Sequence, residues 1–217
     1  MNLSEPGLLV MDMDSTLIQI ECIDEIAALA GCKAEVAKVT AAAMNGELDF
    51  EQSLRARVSL LSGVSTDMFT QLFTPIPWQP HIPEFIGWLQ QLGWRTAVVS
   101  GGFTWFTDRV QQALKLDAAL SNQLQVVDGI VTGELCGNII DAAAKARQLN
   151  ALAEQYQLPL SQTIAIGDGA NDIPLLQAGA VSIAVGHHQA LWPYADKVFV
   201  EPDFAKVKAY LVQHFSG

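Results

Sequence analysis

The stretch Leu8-Leu-Val-Met-Asp-Met-Asp-Ser-Thr16 decides how the rest of the chain is arranged. Its apolar run from Leu8 to Met11 is typical of a short strand buried on both faces, and the run ends in two carboxylates, Asp12 and Asp14. By itself the stretch is equally compatible with a loop in which Asp14 and Ser15 cap the following helix. The distant parts of the chain must therefore indicate whether the two aspartates belong to a functional site.

Beyond Thr16 the sequence is first helical for a long way and then alternates between helices and strands. Asp128-Gly129, between two apolar runs, predicts a hairpin that interrupts this alternation locally. The remaining apolar runs, each separated by helical segments, predict strands at 96–99, 163–166, 181–185 and 197–200.

Apolar strands separated by helices are typical of a parallel sheet with helices on both faces. We therefore predict an α/β fold, a doubly wound parallel sheet with a Rossmann-like core made of residues 1–16 and 80–217. Residues 17–79 contain no strand pattern, so we predict that they form an α-helical cap inserted after the first strand.

Three of the predicted strands end in turns rich in acidic residues or glycine: Asp12-Met-Asp14, Ser100-Gly-Gly102 and Gly167-Asp-Gly-Ala-Asn-Asp172. Because parallel strands place their carboxyl ends along one edge of a sheet, we expect the three turns to meet. Glycines let backbone N–H groups approach an anion, and Ser100 adds a hydroxyl donor. Mg2+ prefers carboxylate and phosphate oxygens, which Asp12, Asp14 and Asp168 could share with a substrate. The turns together predict a site for a divalent metal and a phosphate.

Lys145 lies on the apolar side of the helix predicted over residues 141–156, whereas Arg147 lies on the opposite side. It also falls in the first helical turn, where the helix dipole disfavours a cation. A nearby anion would offset both costs, so the pattern favours an anion-binding lysine over one that extends past the core into solvent.

Arg57 lies within an apolar stripe of the predicted cap, between Leu54 and Leu61, whereas Arg55 does not. Its planar guanidinium suits a carboxylate, which could belong either to a substrate or to another side chain of the protein. Glu21 falls opposite the apolar stripe of its own helix, so periodicity alone predicts a solvated side chain.

Composition excludes several classes of partner. The formal net charge is -11 with no basic run, which disfavours nucleic acid and acidic membranes. Three cysteines without a C-x-x-C pair disfavour a disulfide framework and a zinc knuckle, and neither a leader peptide nor a membrane span is recognisable. We expect a cytoplasmic protein, monomeric or homodimeric, that acts on a small molecule. We assign no catalytic role to the four histidines.

The motifs Asp12-Met-Asp-Ser-Thr16, Ser100-Gly-Gly102, Lys145 and Gly167-Asp-Gly-Ala-Asn-Asp172 resemble, in this order, the four motifs of the haloacid dehalogenase (HAD) superfamily. The segments that begin at Ile20 and Gly46 are similar to those of members that hydrolyse O-phospho-L-serine. The resemblance implies a Mg2+-dependent phosphatase of serine biosynthesis that passes through an aspartyl phosphate.

The same resemblance implies specific roles for individual residues. Asp12 would be the nucleophile, and Asp14 the general acid and then the general base. The expected metal ligands are Asp12, the backbone carbonyl of Asp14, and Asp168. The expected phosphate contacts are Ser100, Gly101 and Lys145, with Asn171 and Asp172 completing the cluster. The expected substrate contacts are Arg57 as carboxylate clamp, Glu21 as partner of the ammonium group, and Phe50 and Met44 on the cap side.

Two departures from the family pattern bear on substrate fit and not on the chemistry. Gly186-His-His-Gln189 replaces an expected lysine-containing turn, and Asn138 replaces an expected aspartate. Phosphohomoserine and phosphothreonine stay open as alternative substrates, for a phosphatase or a phosphotransferase, because the four core motifs do not separate them. A non-enzymatic phosphate-responsive switch would carry its acceptor mid-chain and would lack both Asp14 and a helical cap.

Overall fold

The computed structural model describes residues 1–216 and places Leu8–Met11 at the centre of a seven-stranded sheet. The four residues of this strand, β1, are at most 1% exposed, as expected for an apolar run flanked by strands on both sides. The strands are β1 (Leu8–Met11), β2 (Arg95–Phe103), β3 (Ala118–Val127), β4 (Ile130–Cys136), β5 (Thr163–Gly167), β6 (Val181–Val185) and β7 (Lys197–Phe199).

Across the sheet the strands follow the order β4-β3-β2-β1-β5-β6-β7. All neighbours pair in parallel except β3 and β4, which form the antiparallel hairpin predicted at Asp128-Gly129. The predicted doubly wound α/β fold is thereby confirmed, with the hairpin at one edge.

Helices connect the strands and cover the sheet. They are α1 (Cys22–Leu29), α2 (Lys33–Met44), α3 (Phe50–Ser59), α4 (Asp67–Phe73), α5 (Ile82–Gln91), α6 (Thr104–Leu114), α7 (Ala142–Gln155), α8 (Ile173–Ala178) and α9 (Phe204–Phe215). Their starts follow local sequence: Asp49 and Gln52 form a capping box at α3, and Asp141 accepts a hydrogen bond from the Ala144 N–H at α7.

Helices α1 to α5 lie between β1 and β2, and α1 to α4 fall within residues 17–79, which the sequence predicts to be helical. The chain leaves the sheet and returns to it through two adjacent segments, because Ile18 pairs with Trp78 in an antiparallel bridge. Apolar residues of these helices, such as Leu54 and Phe69, belong to the same buried cluster as Met11 of β1. The assignment of residues 17–79 to a separate cap domain stays a prediction.

Among residues 1–216, none of the helices has the length and apolar character that a bilayer crossing requires.

Candidate active site

The three strand-end turns meet at the carboxyl edge of the sheet, where three carboxylates converge. Oxygen atoms of Asp12, Asp168 and Asp172 all lie within 4.8 Å of one another. Asp12 and Asp172 are 4% and 0% exposed, and Asp168 is 9% exposed. The parallel pairing of β1 with β5 produces this meeting, because it places Met11 beside Ile166 and so brings the two following turns together.

Lys145 is the cation of this cluster. It is 1% exposed, and its Nζ lies 2.6 Å from Asp12 Oδ2 and 2.6 Å from Asp172 Oδ1. The nearby carboxylates of Asp12 and Asp172 overcome the effect of burial and raise the pKa of the ammonium above its ordinary value. A lysine that extends past the core into solvent is excluded, whereas Arg147 on the opposite side of α7 is exposed.

Burial changes the titration of the acidic groups as well. It raises the pKa of Asp12 to about 6, although Lys145 opposes the change, and it raises that of Asp168 to about 8 with help from the charges of Asp12 and Asp172. If ionised, the three carboxylates carry three negative charges against the single positive charge of Lys145. The remaining charge and the oxygen ligands fit a divalent cation such as Mg2+.

Asp14 lies beside this cluster with an incomplete set of hydrogen bonds. Its Oδ2 accepts a long hydrogen bond of 3.4 Å from the Cys22 N–H, and its buried Oδ1 has no partner among the described residues. Burial, together with the charges of Glu21 and Asp12, raises the pKa of Asp14 well above its ordinary range. A raised pKa favours the protonated form of this carboxyl group, which can then donate its proton.

Residues 100–102, for which the sequence predicts a turn after the strand, lie within β2 and form a cradle of small groups. Ser100 is 1% exposed and its Oγ accepts a hydrogen bond of 3.0 Å from the Gly102 N–H. A Cβ at Gly102 would lie 3.1 Å from Met13 Cε and 3.3 Å from Asp14 Oδ2, so a side chain there would push into the turn that carries both aspartates. Glycine therefore allows this backbone to approach the acidic turn closely.

Residues 17–79 contribute four predicted contact residues with different environments. Phe50 faces the cradle, since a Cβ at Gly101 would be 3.4 Å from its ring. Glu21 is exposed, as the periodicity predicts, and accepts a 2.6 Å hydrogen bond from Ser15 Oγ. Met44 ends α2 and is 81% exposed, so its contact with a substrate stays a prediction.

Arg57 is half-buried, and its Nε donates a 3.4 Å hydrogen bond to the Ser53 carbonyl. The carboxylates of Asp24 and Glu21 are near enough to influence its pKa, which burial lowers. Within residues 1–216 Arg57 forms no salt bridge at 4.0 Å or less, so the intramolecular alternative has no partner at that distance.

Sequence reasoning missed Thr16, and it placed Asp172 in the phosphate cluster only through the family resemblance, without its pairing with Lys145. Thr16 is fully buried and its Oγ1 donates a 2.8 Å hydrogen bond to Asp168 Oδ1. Asp172 is the second partner of Lys145 and also accepts hydrogen bonds from the N–H groups of Asp168 and Gly169. Both lie in stretches that the sequence singles out, but the partner of Thr16 is 152 residues distant along the chain and that of Asp172 is 27 residues distant. Asn171 is exposed, and its contact with a substrate stays a prediction.

Comparisons with known proteins agree with this geometry. The haloacid dehalogenase-like hydrolase family matches residues 9–177. A phosphoserine phosphatase of Idiomarina loihiensis is 53% identical over 190 residues, which are 88% of this chain and 86% of that protein. A phosphoserine phosphatase of Vibrio cholerae is 49% identical over 84% of this chain, but the match spans only 56% of that longer protein.

A solved structure described as a phospho-aspartyl intermediate analogue of phosphoserine phosphatase superposes with a TM-score of 0.87. It is 38% identical, and the match covers 95% of this chain and 99% of that one. The family match, the relatives and the buried aspartate cluster at the end of β1 lead to one conclusion. This chain belongs to the haloacid dehalogenase-like hydrolases.

Proposed function

We propose that the chain is a phosphoserine phosphatase, which hydrolyses O-phospho-L-serine to L-serine and phosphate with Asp12 as nucleophile. The observation that carries the proposal is the placement of Asp12, fixed 2.6 Å from a buried lysine, beside a second carboxyl group whose pKa is well above its ordinary range. The names of the relatives and the phospho-aspartyl analogue support the same reaction.

Asp12 is held in one orientation by contacts at both oxygens. Its Oδ1 accepts a 2.7 Å hydrogen bond from the Met13 N–H, and its Oδ2 pairs with Lys145. Fixing a carboxylate in this way lowers the entropic cost of attack on phosphorus. Attack forms a bond between a carboxylate oxygen of Asp12 and phosphorus while the bond to the serine oxygen breaks.

Asp14 supplies and then removes protons. Its raised pKa favours the protonated form, and the serine oxygen takes that proton as it leaves. The resulting carboxylate then accepts a proton from the water that attacks the aspartyl phosphate, which releases phosphate and regenerates Asp12. The two aspartates divide the work because only Asp12 is paired with Lys145.

The cradle within β2 and the ammonium of Lys145 bind the phosphoryl oxygens. Ser100 offers its hydroxyl group, Gly101 its N–H, and Lys145 its positive charge, as the family resemblance implies. Donors fixed before the reaction stabilise the charge that builds on these oxygens, and removal of one such donor commonly costs on the order of 10²-fold or more in rate.

The carboxylates of Asp12 and Asp168 and the backbone carbonyl of Asp14 would hold Mg2+. When bound, the ion supplies neutralising charge to the phosphoryl oxygens. Thr16 orients Asp168 through its hydrogen bond of 2.8 Å, and Asp172 holds Lys145 on the other side of Asp12. These second contacts keep the ligand oxygens in place.

Mg2+ should stabilise the protein more at pH 8 than at pH 6. In the metal-free protein the pKa of Asp168 rises from 3.8 to about 8, so the folded state binds more protons than the unfolded state. The free energy of unfolding is therefore highest below about pH 4 and falls as the pH rises through about 8. A cation bound at the carboxylates reverses this loss. With saturating Mg2+ we expect Tm to rise by about 5–10 °C at pH 8 and by less at pH 6.

Thermal unfolding with and without Mg2+ at the two pH values measures this effect. The Asp168→Asn variant is the control, since it should lose both the pH dependence and most of the gain. An equal gain at both pH values would contradict the assignment of Asp168 as a ligand.

Arg57 should bind the substrate carboxylate. We expect Arg57→Ala to raise KM for O-phospho-L-serine by about tenfold or more with little change in kcat, because the lost contact is present in ground and transition states alike. Steady-state kinetics measure the change in KM and kcat for O-phospho-L-serine and for a second substrate, a phosphate ester that lacks a carboxylate. Arg55→Ala is the matched control, because Arg55 is exposed and pairs with Glu51 on the same helix. An equal loss on both substrates would rule out the clamp.

The decisive test of the substrate is phosphate release from a panel of esters, with and without Mg2+. O-phospho-L-serine should have the highest kcat/KM, and activity should depend on the metal. A higher kcat/KM for phosphothreonine or phosphohomoserine would change the substrate assignment but leave the proposed reaction mechanism intact. If a generic aryl phosphate were hydrolysed equally well, the assignment of an amino-acid phosphate as substrate would be wrong.

A role in serine biosynthesis, a cytoplasmic location and a monomeric or homodimeric state belong to the same proposal. The acidic net charge of -11 supports a small-molecule substrate over nucleic acid or an acidic membrane.

A further inference from the structure

Asn122 is a fully buried polar residue of β3 that the proposed mechanism does not use. It is 1% exposed, and both ends of its side-chain amide are bonded. The Nδ2 group donates a 2.8 Å hydrogen bond to the Gly101 carbonyl, and the Oδ1 atom accepts a 2.8 Å hydrogen bond from the Ile140 N–H. It therefore connects two segments that are distant in sequence.

The first segment is the cradle within β2. Pairing between β2 and β3 is regular up to Val99 and Leu120, but the next paired residues are Phe103 and Asn122. The three cradle residues 100–102 of β2 thus lie opposite the single residue Ser121 of β3, so the cradle bulges out of the sheet. A bulge interrupts the ladder of backbone hydrogen bonds, and the Asn122 amide donates to a carbonyl within this interruption.

The second segment leads into α7, the helix that carries Lys145. Ile140 precedes Asp141, which caps α7, and the Asp141 carbonyl accepts a 3.1 Å hydrogen bond from the Lys145 N–H. The Ile140 carbonyl also lies 3.9 Å from the place where a Gly101 Cβ would be. One side chain therefore fixes the cradle and the start of the lysine helix relative to each other.

We propose that Asn122 is a positioning residue for phosphate binding: it orients the Gly101 peptide and holds the cradle at a fixed distance from Lys145. It touches neither substrate nor reacting atoms. The inference rests on the proposed function only in that the cradle binds phosphate. A peptide unit that could rotate would no longer aim its N–H at the phosphate, and a displacement of about 1 Å can cost on the order of 10²-fold in rate.

Two variants separate the two hydrogen bonds. Asn122→Asp keeps an acceptor for Ile140 but loses the donor to Gly101, and Asn122→Leu loses both without adding a charge. Thr107→Val is the matched control. Thr107 is also buried, at 1% exposed, and its Oγ1 lies 2.7 Å from the Oγ of Ser121, the residue before Asn122. Its side-chain hydrogen bonds do not involve the cradle.

The readout is the inhibition constant of inorganic phosphate, measured with KM and kcat in the Mg2+-bound enzyme. Both Asn122 variants should raise this constant by about tenfold and lower kcat/KM by roughly 100-fold, whereas Thr107→Val should leave the constant unchanged. A fall in kcat with unchanged phosphate inhibition would mean a structural role only, and would overturn the proposal. A loss in Asn122→Asp alone would mean an effect of the new charge, and would overturn it too.

A measurement on the unaltered enzyme keeps the proposal testable if the variants fail to fold. During titration with inorganic phosphate, the side-chain amide resonance of Asn122 should shift together with the Gly101 N–H, while that of the exposed Asn45 should not. If the Asn122 side-chain amide resonance did not shift at saturating phosphate, the inference would be overturned. Because this titration uses no ester, its outcome is independent of whether O-phospho-L-serine is the substrate.

Discussion

Replacing Asp12 by Asn is expected to lower kcat by on the order of 10⁴-fold or more, because the amide cannot attack phosphorus. The substitution keeps the size of the side chain and the hydrogen bond from the Met13 N–H can persist. The protein should therefore stay folded. Phosphate release from O-phospho-L-serine under saturating Mg2+ measures the loss.

The matched control is Asp67→Asn, which makes the same chemical change at an exposed position in the first turn of α4. That variant should keep its activity. If Asp12→Asn retained more than about one part in a hundred of the activity, another group would have to be the nucleophile.

Lys145→Met is expected to have the largest effect on stability. The ammonium is buried between Asp12 and Asp172, and its removal leaves two buried carboxylates without their cation. The loss of one partner of a buried ion pair typically costs about 3–5 kcal/mol. Catalysis should fall on the order of 10²-fold or more as well, since one donor to the phosphoryl oxygens is missing.

The stability loss in Lys145→Met should depend on pH. Without the ammonium the pKa of Asp12, already about 6, rises further, so the folded state keeps a proton that the unfolded state releases. Stability is then retained at acidic pH and lost as pH rises through the new folded pKa. Urea unfolding of metal-free protein at pH 5.5 and 8, values chosen roughly on either side of that pKa, measures it.

Arg147→Met is the control for this prediction, because Arg147 lies on the same helix with a side chain 68% exposed and a contact of 3.6 Å to Asp141. It should change the free energy of unfolding by less than about 0.5 kcal/mol. A stability loss in Lys145→Met that is small, or equal at both pH values, would contradict the buried ion-pair account.

The sequence predicts those features of this protein that depend on local pattern. The apolar run of β1, the Asp128-Gly129 hairpin and the alternation of helices and strands all depend on neighbouring residues, and the structure confirms them. The meeting of three turns follows as well, because parallel pairing places strand ends at one edge.

Features that depend on a distant partner were harder to predict. Helical periodicity places Lys145 on the buried side of α7, but only the folded chain pairs it with Asp172. Periodicity places Glu21 in solvent, where it lies, yet gives no sign of its hydrogen bond with Ser15. The sequence does not indicate a positioning role for Asn122, because a single polar residue within a strand is usually a solvent-facing one. Its role becomes visible only with its two hydrogen-bond partners, Gly101 and Ile140.

The central claim is that the phosphoryl group is transferred from the substrate to Asp12 before water releases it as phosphate. Its most direct test is acid quenching of the enzyme during turnover of O-phospho-L-serine labelled at phosphorus, followed by borohydride reduction and peptide mapping. The account predicts protein-bound label, and reduction of the phosphorylated side chain at position 12, in the peptide that contains Leu8–Thr16. Rapid phosphate release without any protein-bound label before reduction, or a reduced side chain at position 14 instead of position 12, would contradict it.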